Sequence, residues 1–190
     1  CVLWGKRLVL WYLHRSVTWR LRLAYAMCGV VVTADASSLR IRGPKVVAVG
    51  HGIDTSRGIE GAHQARPHTP LRLVCVGRLS PIKRVHLLLG ALAVLKGQGV
   101  SVEARIVGSA VMSSDHAYEA QLHRLVAQYG LDDMVEFVGY VPHDALGQQY
   151  EGADIVVGLT PPGGIDKVLL EAMSWGCSVV TTNTVMADHL

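Results

Sequence analysis

From residue 71 to the end of the chain, short apolar runs alternate strictly with helix-periodic stretches, and few folds accept that alternation. Strands are predicted over 71–77, 102–107, 135–138, 154–159 and 178–182. Helices fall between them, over 84–97, from a cap at Ser114 or Asp115 to Tyr129, over 144–150 and over 167–175. On the first, Val85, Leu88, Leu89, Leu92 and Leu95 make one apolar stripe; on the second, Tyr118, Leu122, Leu125, Val126 and Tyr129 repeat, with Gly130 as terminator. Strands joined through helices by short connections imply right-handed βαβ crossovers and a parallel sheet. Ligands of such sheets bind outside the carboxyl ends of the strands, so the loops that follow strands are the places to look for chemistry.

The first third of the chain has the same character. It reads as a strand over 7–13, a helix over 16–27, a short buried strand over 29–33 and another strand over 45–49. SRGIEGAHQARPHTP, residues 56–70, has almost no apolar periodicity and reads as a linker. The expected division is therefore residues 1–55 as the closing part of one α/β domain, 56–70 as linker and 71–190 as a second, truncated domain. Opening on Cys1 rather than Met, the chain reads as an excerpt of a longer protein.

Several classes are disfavoured. The longest apolar runs, such as LVLWYL at 8–13, fall far short of the roughly 18 residues a spanning helix needs, and no leader-peptide pattern is visible. Cys1, Cys28, Cys75 and Cys177 form no CxxC pair, which points to a reducing cytoplasm. Nine histidines include no HExxH, and His116 and His123 lack a nearby third ligand, so exposed helical histidines are expected and no metal is.

Charge is uneven. Residues 1–50 hold eight Lys and Arg against the single acid Asp35, a net of +7, while the remainder carries −4. On the predicted helix, Arg15, Trp19 and Arg22 would share a face, which suits anionic lipid headgroups or, equally, a Trp packed beneath two arginines. No helix-turn-helix, RNP or zinc pattern accompanies the charge, so nucleic acid is not an expected partner.

The loop VGRLSPIK, 76–83, sets Gly77 and Arg78 at the end of a strand and Lys83 just before a helix. Two full cations beside a helix's positive end suit a diphosphate, though a solvated basic turn would look similar. Gly108, and Gly139 with Tyr140, end the next two strands, where a planar base could lie on bare backbone. Thr160-Pro161-Pro162-Gly163-Gly164 offers amides to an anion, and Glu171 follows in the second turn of a helix, placed to accept hydrogen bonds from vicinal hydroxyls such as a ribose's. Together these describe a nucleotide site. The absence of GxGxxG argues against a nicotinamide dehydrogenase.

GHGID (50–54), VGRLSPIK (76–83), RIVGS (105–109), VEFVGYVP (135–142) and DKVLLEAMSWGCSVVTT (166–182) occur in an order and spacing that resemble the retaining GT-B glycosyltransferases of family 4. The resemblance implies two Rossmann-like domains facing each other across a cleft, the second binding a nucleotide-sugar. It implies that Arg78 and Lys83 contact the diphosphate, that backbone near Gly139 and Tyr140 meets the base, that Glu171 holds the ribose, and that His14 faces the transferred sugar. Gly163 stands where such enzymes commonly carry a second acid; GGIDKVLLEA resembles a variant in which Asp166 and Lys167 contact donor or sugar, although Asp166 could simply cap its helix. Also implied are retention of anomeric configuration, no cofactor or obligatory metal, and a saccharide or lipid-linked acceptor; the cysteine pattern and the basic first 50 residues add the expectation of a cytoplasmic protein that could lie peripherally at the cytoplasmic face of the membrane. The alternatives are a sugar-nucleotide epimerase or phosphorylase on the same fold, or a non-catalytic nucleotide-binding module.

Overall fold

A computed structural model describes residues 5–14, 16–35, 39–56, 58 and 68–189 of the 190. The chain divides into two compact units, one of residues 1–52, 162–165 and 184–190, the other of residues 53–161 and 166–183. Most of the predicted linker, including residues 59–67, lies outside the described residues.

In the first unit, β1 (Val9–Trp11), β2 (Val30–Thr33) and β3 (Val46–Ala48) form a parallel sheet in that order. Helix α1 (Trp19–Met27) connects β1 to β2 and starts three residues later than predicted, because the Thr18 hydroxyl, not Ser16, caps it by accepting the Leu21 N–H at 3.2 Å. Leu21, Cys28, Val31 and Leu39 are buried together, with Leu10, Tyr25, Ile41 and Val46 packed around them. Trp19 is no part of this core: it is 70% exposed, which removes the reading of a Trp packed beneath arginines. Arg15, the other residue of that predicted face, lies outside the described residues.

The second unit holds β4 (Leu71–Val76), α2 (Val85–Gly97), β5 (Val102–Val107), α3 (Ser113–Tyr129), β6 (Val135–Gly139), α4 (Gly147–Glu151), β7 (Ile155–Gly158), α5 (Lys167–Ser174) and β8 (Ser178–Thr181). All five strands are parallel, in the order β6-β5-β4-β7-β8. The fold is the expected α/β Rossmann-like arrangement. Val85, Leu88, Leu89 and Leu92 of α2 and Tyr118, Leu122 and Val126 of α3 join Ala104, Ile106 and Val157 in one core. Tyr129, predicted on the α3 stripe, remains exposed.

Two local predictions are corrected. Met112, not Ser114 or Asp115, occupies the α3 cap position; Asp115 sits one turn in, buried, and its carboxylate accepts the Met112 N–H at 3.3 Å. The helix predicted over 144–150 is a 3-10 turn at His143–Ala145 followed by α4, and Gly147 lies so close to the Trp175 ring that a Cβ there would sit 2.5 Å from it.

Candidate active site

Strand order decides where the loops meet. β4 is first in sequence but central in the sheet; the chain builds outward through β5 and β6, then returns to β4's other edge with β7. The loops after β4 and β7 therefore flank the topological switch point, where open α/β sheets form a binding crevice. Gly77–Arg84 is the first loop, and residues 159–166 are the second.

The first loop is tightly shaped. After Gly77, at φ +146°, it makes a 3-10 turn at Pro81–Lys83 and enters α2 through Arg84, whose left-handed backbone (φ 51°) is unusual for a side chain of that size. This turns Lys83 back over Gly77: a Cβ on Gly77 would stand 3.1 Å from Lys83 Cε. Lys83 Nζ then meets Asp166 Oδ2 at 3.2 Å, and the Thr160 hydroxyl donates to the same oxygen at 3.2 Å. One carboxylate thus ties the two loops of the switch point together. Asp166 occupies the cap position of α5 but caps nothing with its side chain, which is committed to Lys83 and Thr160.

Arg78 is held separately. Its Nε lies 3.5 Å from Oδ2 of the buried Asp115, while 44% of its side chain remains exposed. Each cation accordingly has its own carboxylate and an open flank. Ser80 Oγ, in the same loop, is buried with no hydrogen-bond partner among the described residues. Behind the loop, burial pushes the Cys75 thiol up to about 11 despite the nearby Lys83 charge, so this cysteine stays protonated and inert.

The two strand-end glycines differ in kind. Gly108, at φ +130°, lies so close to the backbone of Gly77 that a Cβ would fall on the Gly77 carbonyl; it is a packing glycine, donating its N–H to the Gly139 carbonyl at 2.7 Å. A Cβ at Gly139 would meet nothing within 4 Å, and its neighbour Tyr140 is 74% exposed, so bare backbone is presented there.

Glu171 lies in the second turn of α5. Its Oε2 accepts a hydrogen bond from Tyr150 at 3.2 Å and its Oε1 stands 3.9 Å from His143 Nε2. Burial, then the charge of Glu171, push the Tyr150 phenol far above its ordinary range, so it remains a donor at every physiological pH. Both residues line a cleft of about 350 Å³ with Asp54, Asp144 and Trp175. Lys167 is exposed at the first position of α5, Gly163 and Gly164 belong to the 162–165 stretch of the first unit, and His14, also there, is exposed with its ring edge-on to Tyr12 at 5.7 Å. Among the described residues, no three His, Cys, Asp or Glu side chains gather closely enough to hold a metal.

The family model for glycosyl transferases group 1 matches residues 58–190. The chain belongs to this family. Among its relatives, the provisionally named colanic acid biosynthesis glycosyltransferase WcaL of Escherichia coli is 33% identical over 144 residues, 73% of this chain and 34% of that protein. The amylovoran biosynthesis glycosyltransferase AmsK of Erwinia amylovora is 34% identical over 121 residues, 60% of this chain and 28% of that protein. The chain thus spans about a third of the length of the curated relatives it matches. In fold it is similar to Anabaena Alr3699/HepE, crystallised with UDP and glucose, at a TM-score of 0.76 and 22% identity over 97% of this chain and 55% of that one.

In this member of the family, the sequence does not single out Asp115, Tyr150 or His143, and it marks Thr160 for its backbone amide rather than for the hydroxyl that reaches Asp166. By sequence Asp115 is one of two candidate caps, with Ser114, and Tyr150 the end of a short helix; neither spacing nor composition ties them to residues 37 and 21 positions away.

Proposed function

We propose that this chain contains the donor-binding unit of a retaining glycosyltransferase that moves a sugar from a nucleotide-sugar to a saccharide or lipid-linked acceptor, in polysaccharide biosynthesis. The observation that carries the reading is the pair of cations at the switch point, Lys83 fixed across the two loops by Asp166 and Arg78 fixed by Asp115, each with an open side. Relatives named for colanic acid and amylovoran biosynthesis support the polysaccharide assignment, and the UDP and UDP-glucose complexes of a protein of like fold make UDP-sugars the first donors to try.

As the C1–O bond to the diphosphate breaks, positive charge grows on the anomeric carbon and negative charge on the leaving phosphate. Cations already in place stabilise that state more than the ground state. The acceptor oxygen bonds to C1 on the face the diphosphate leaves, and its proton passes to a phosphate oxygen. Glu171, steered by Tyr150, takes the ribose hydroxyls; bare backbone at Gly139 and Tyr140 takes the base; Gly163, Gly164, Asp166 and Lys167 border the donor; His14 serves the transferred sugar. No cofactor or metal is required. The proposed place of action is the cytoplasmic face of an anionic membrane, supported by the +7 charge of residues 1–50.

Product analysis of the full-length protein with UDP-, GDP- and ADP-sugars and candidate acceptors tests the reading. The expected outcome is glycosylated acceptor with retained anomeric configuration and free nucleoside diphosphate. An inverted product would overturn retention, whereas a sugar epimerised without acceptor, a strict need for inorganic phosphate, or nucleotide binding with no sugar released would replace the reading with one of the alternatives.

A further inference from the structure

Glu171 has one oxygen committed and one open. Its Oε2 accepts the hydroxyl of the buried Tyr150 at 3.2 Å, and because that phenol stays protonated the bond is permanent. Oε1 has no hydrogen bond among the described residues, although the side chain is only 16% exposed, so a half-enclosed carboxylate keeps lone pairs for a further donor. His143 Nε2 stands 3.9 Å from Oε1, too far for a direct hydrogen bond. An oxygen about 2.8 Å from each atom would bridge them, accepting the ring N–H and donating its own hydrogen to the carboxylate. The backbone of His143 is fixed: Pro142 precedes it, and the Ala145 and Leu146 N–H groups bond to the Pro142 and His143 carbonyls at 3.0 and 3.3 Å. Its ring is 80% exposed, with no hydrogen bond and no ring partner among the described residues. It lies on the same loop as Gly139 and Tyr140, assigned above to the base, and beside the acid assigned to the ribose.

We propose that His143 is a further donor-binding residue, its Nε2–H accepted by the same ribose hydroxyl that donates to Glu171 Oε1. The inference rests on the reading of Glu171 as the ribose acid, and extends it to a second side chain. A hydroxyl held this way both gives and receives a hydrogen bond, which a deoxyribose carbon cannot do, so the pair selects ribonucleotides and rejects the analogue that lacks the bridging hydroxyl.

The test is titration calorimetry of the full-length protein with whichever of UDP, GDP and ADP binds, and with the 2′-deoxy and 3′-deoxy forms of that nucleotide. His143→Ala should weaken the ribonucleotide roughly 5- to 10-fold, from the loss of one hydrogen bond to a ligand. On one of the two deoxy forms, the one without the bridging hydroxyl, the same substitution should change almost nothing. Glu171→Gln should weaken the ribonucleotide at least as much, because Tyr150 holds the amide oxygen and an NH2 group then stands where Oε1 was. The His143 ring is exposed and Gln keeps the shape of Glu, so melting temperatures should match the parent's. Loss in Glu171→Gln with none in His143→Ala, or equal loss from His143→Ala on all three nucleotides, would overturn the bridge and leave the ribose reading of Glu171 standing. Unchanged affinity in Glu171→Gln, or no nucleoside diphosphate bound by the parent, would overturn that reading and the bridge with it.

Discussion

Arg78, Lys83 and Glu171 are legible from sequence because their positions follow from the strand–loop–helix rhythm, but what holds them is not. Asp115 at the third position of α3 and Asp166 at the cap position of α5 read as ordinary helix-start acids, and only folding shows that Asp115 faces Arg78 and Asp166 faces Lys83. The glycines make the same point. Gly108 and Gly139 look alike as strand-end residues, yet the first is packed on the Gly77 carbonyl and the second opens onto empty space. Gly108→Ala should therefore cost roughly 2 to 4 kcal/mol, from the collision and the positive φ together, while Gly139→Ala should cost only the backbone part, about 1 kcal/mol. Denaturant melts of the two variants measure this; equal losses would mean that the close approach at Gly108 is relieved at no cost.

Most elements of the second unit are legible in the sequence, because its strands are short β-branched, mostly apolar segments, even where Arg72, Glu103, Arg105 and Glu136 interrupt them, and the helices that cover them show one apolar stripe. Element ends were less so. Ser16 and Thr18 are both competent caps, and the choice of Thr18 is made by packing of Leu21 into the core. The ends of β4 and β7 are joined by a contact with no sequence signature: Asp154, just before β7, accepts N–H bonds from Arg72 at 2.8 Å and His68 at 3.1 Å, and lies 2.9 Å from the His68 ring. Burial alone would raise its pKa, but the Arg72 and His68 hydrogen bonds outweigh that and hold it below the ordinary carboxylate range. A depressed carboxylate contributes stability above its unfolded pKa, about 3.9, and loses it as pH falls through the folded value. Asp154→Asn should accordingly be less stable than the parent at neutral pH, with the gap closing below about pH 4. A gap that stays constant down to pH 2, in thermal melts across that range, would show that the charge of Asp154 is not what clips β4 to β7.

Taken whole, the molecule keeps two kinds of surface in separate units. The basic, partly apolar surface lies on α1 in the first, and the cation pair lies at the switch point of the second. Among the described residues no helix is long and apolar enough to cross a membrane. Family membership rests on the match over residues 58–190; the chemistry rests on whether Arg78 and Lys83 bind the diphosphate of an activated sugar. Titration calorimetry of the full-length protein with UDP, GDP and ADP, and with the matching nucleosides, decides it. One diphosphate should bind while its nucleoside binds far more weakly, and Arg78→Ala with Lys83→Ala should remove most of that difference, on the order of 100-fold or more from two charge-assisted contacts. Unchanged diphosphate affinity in the double variant would contradict the assignment.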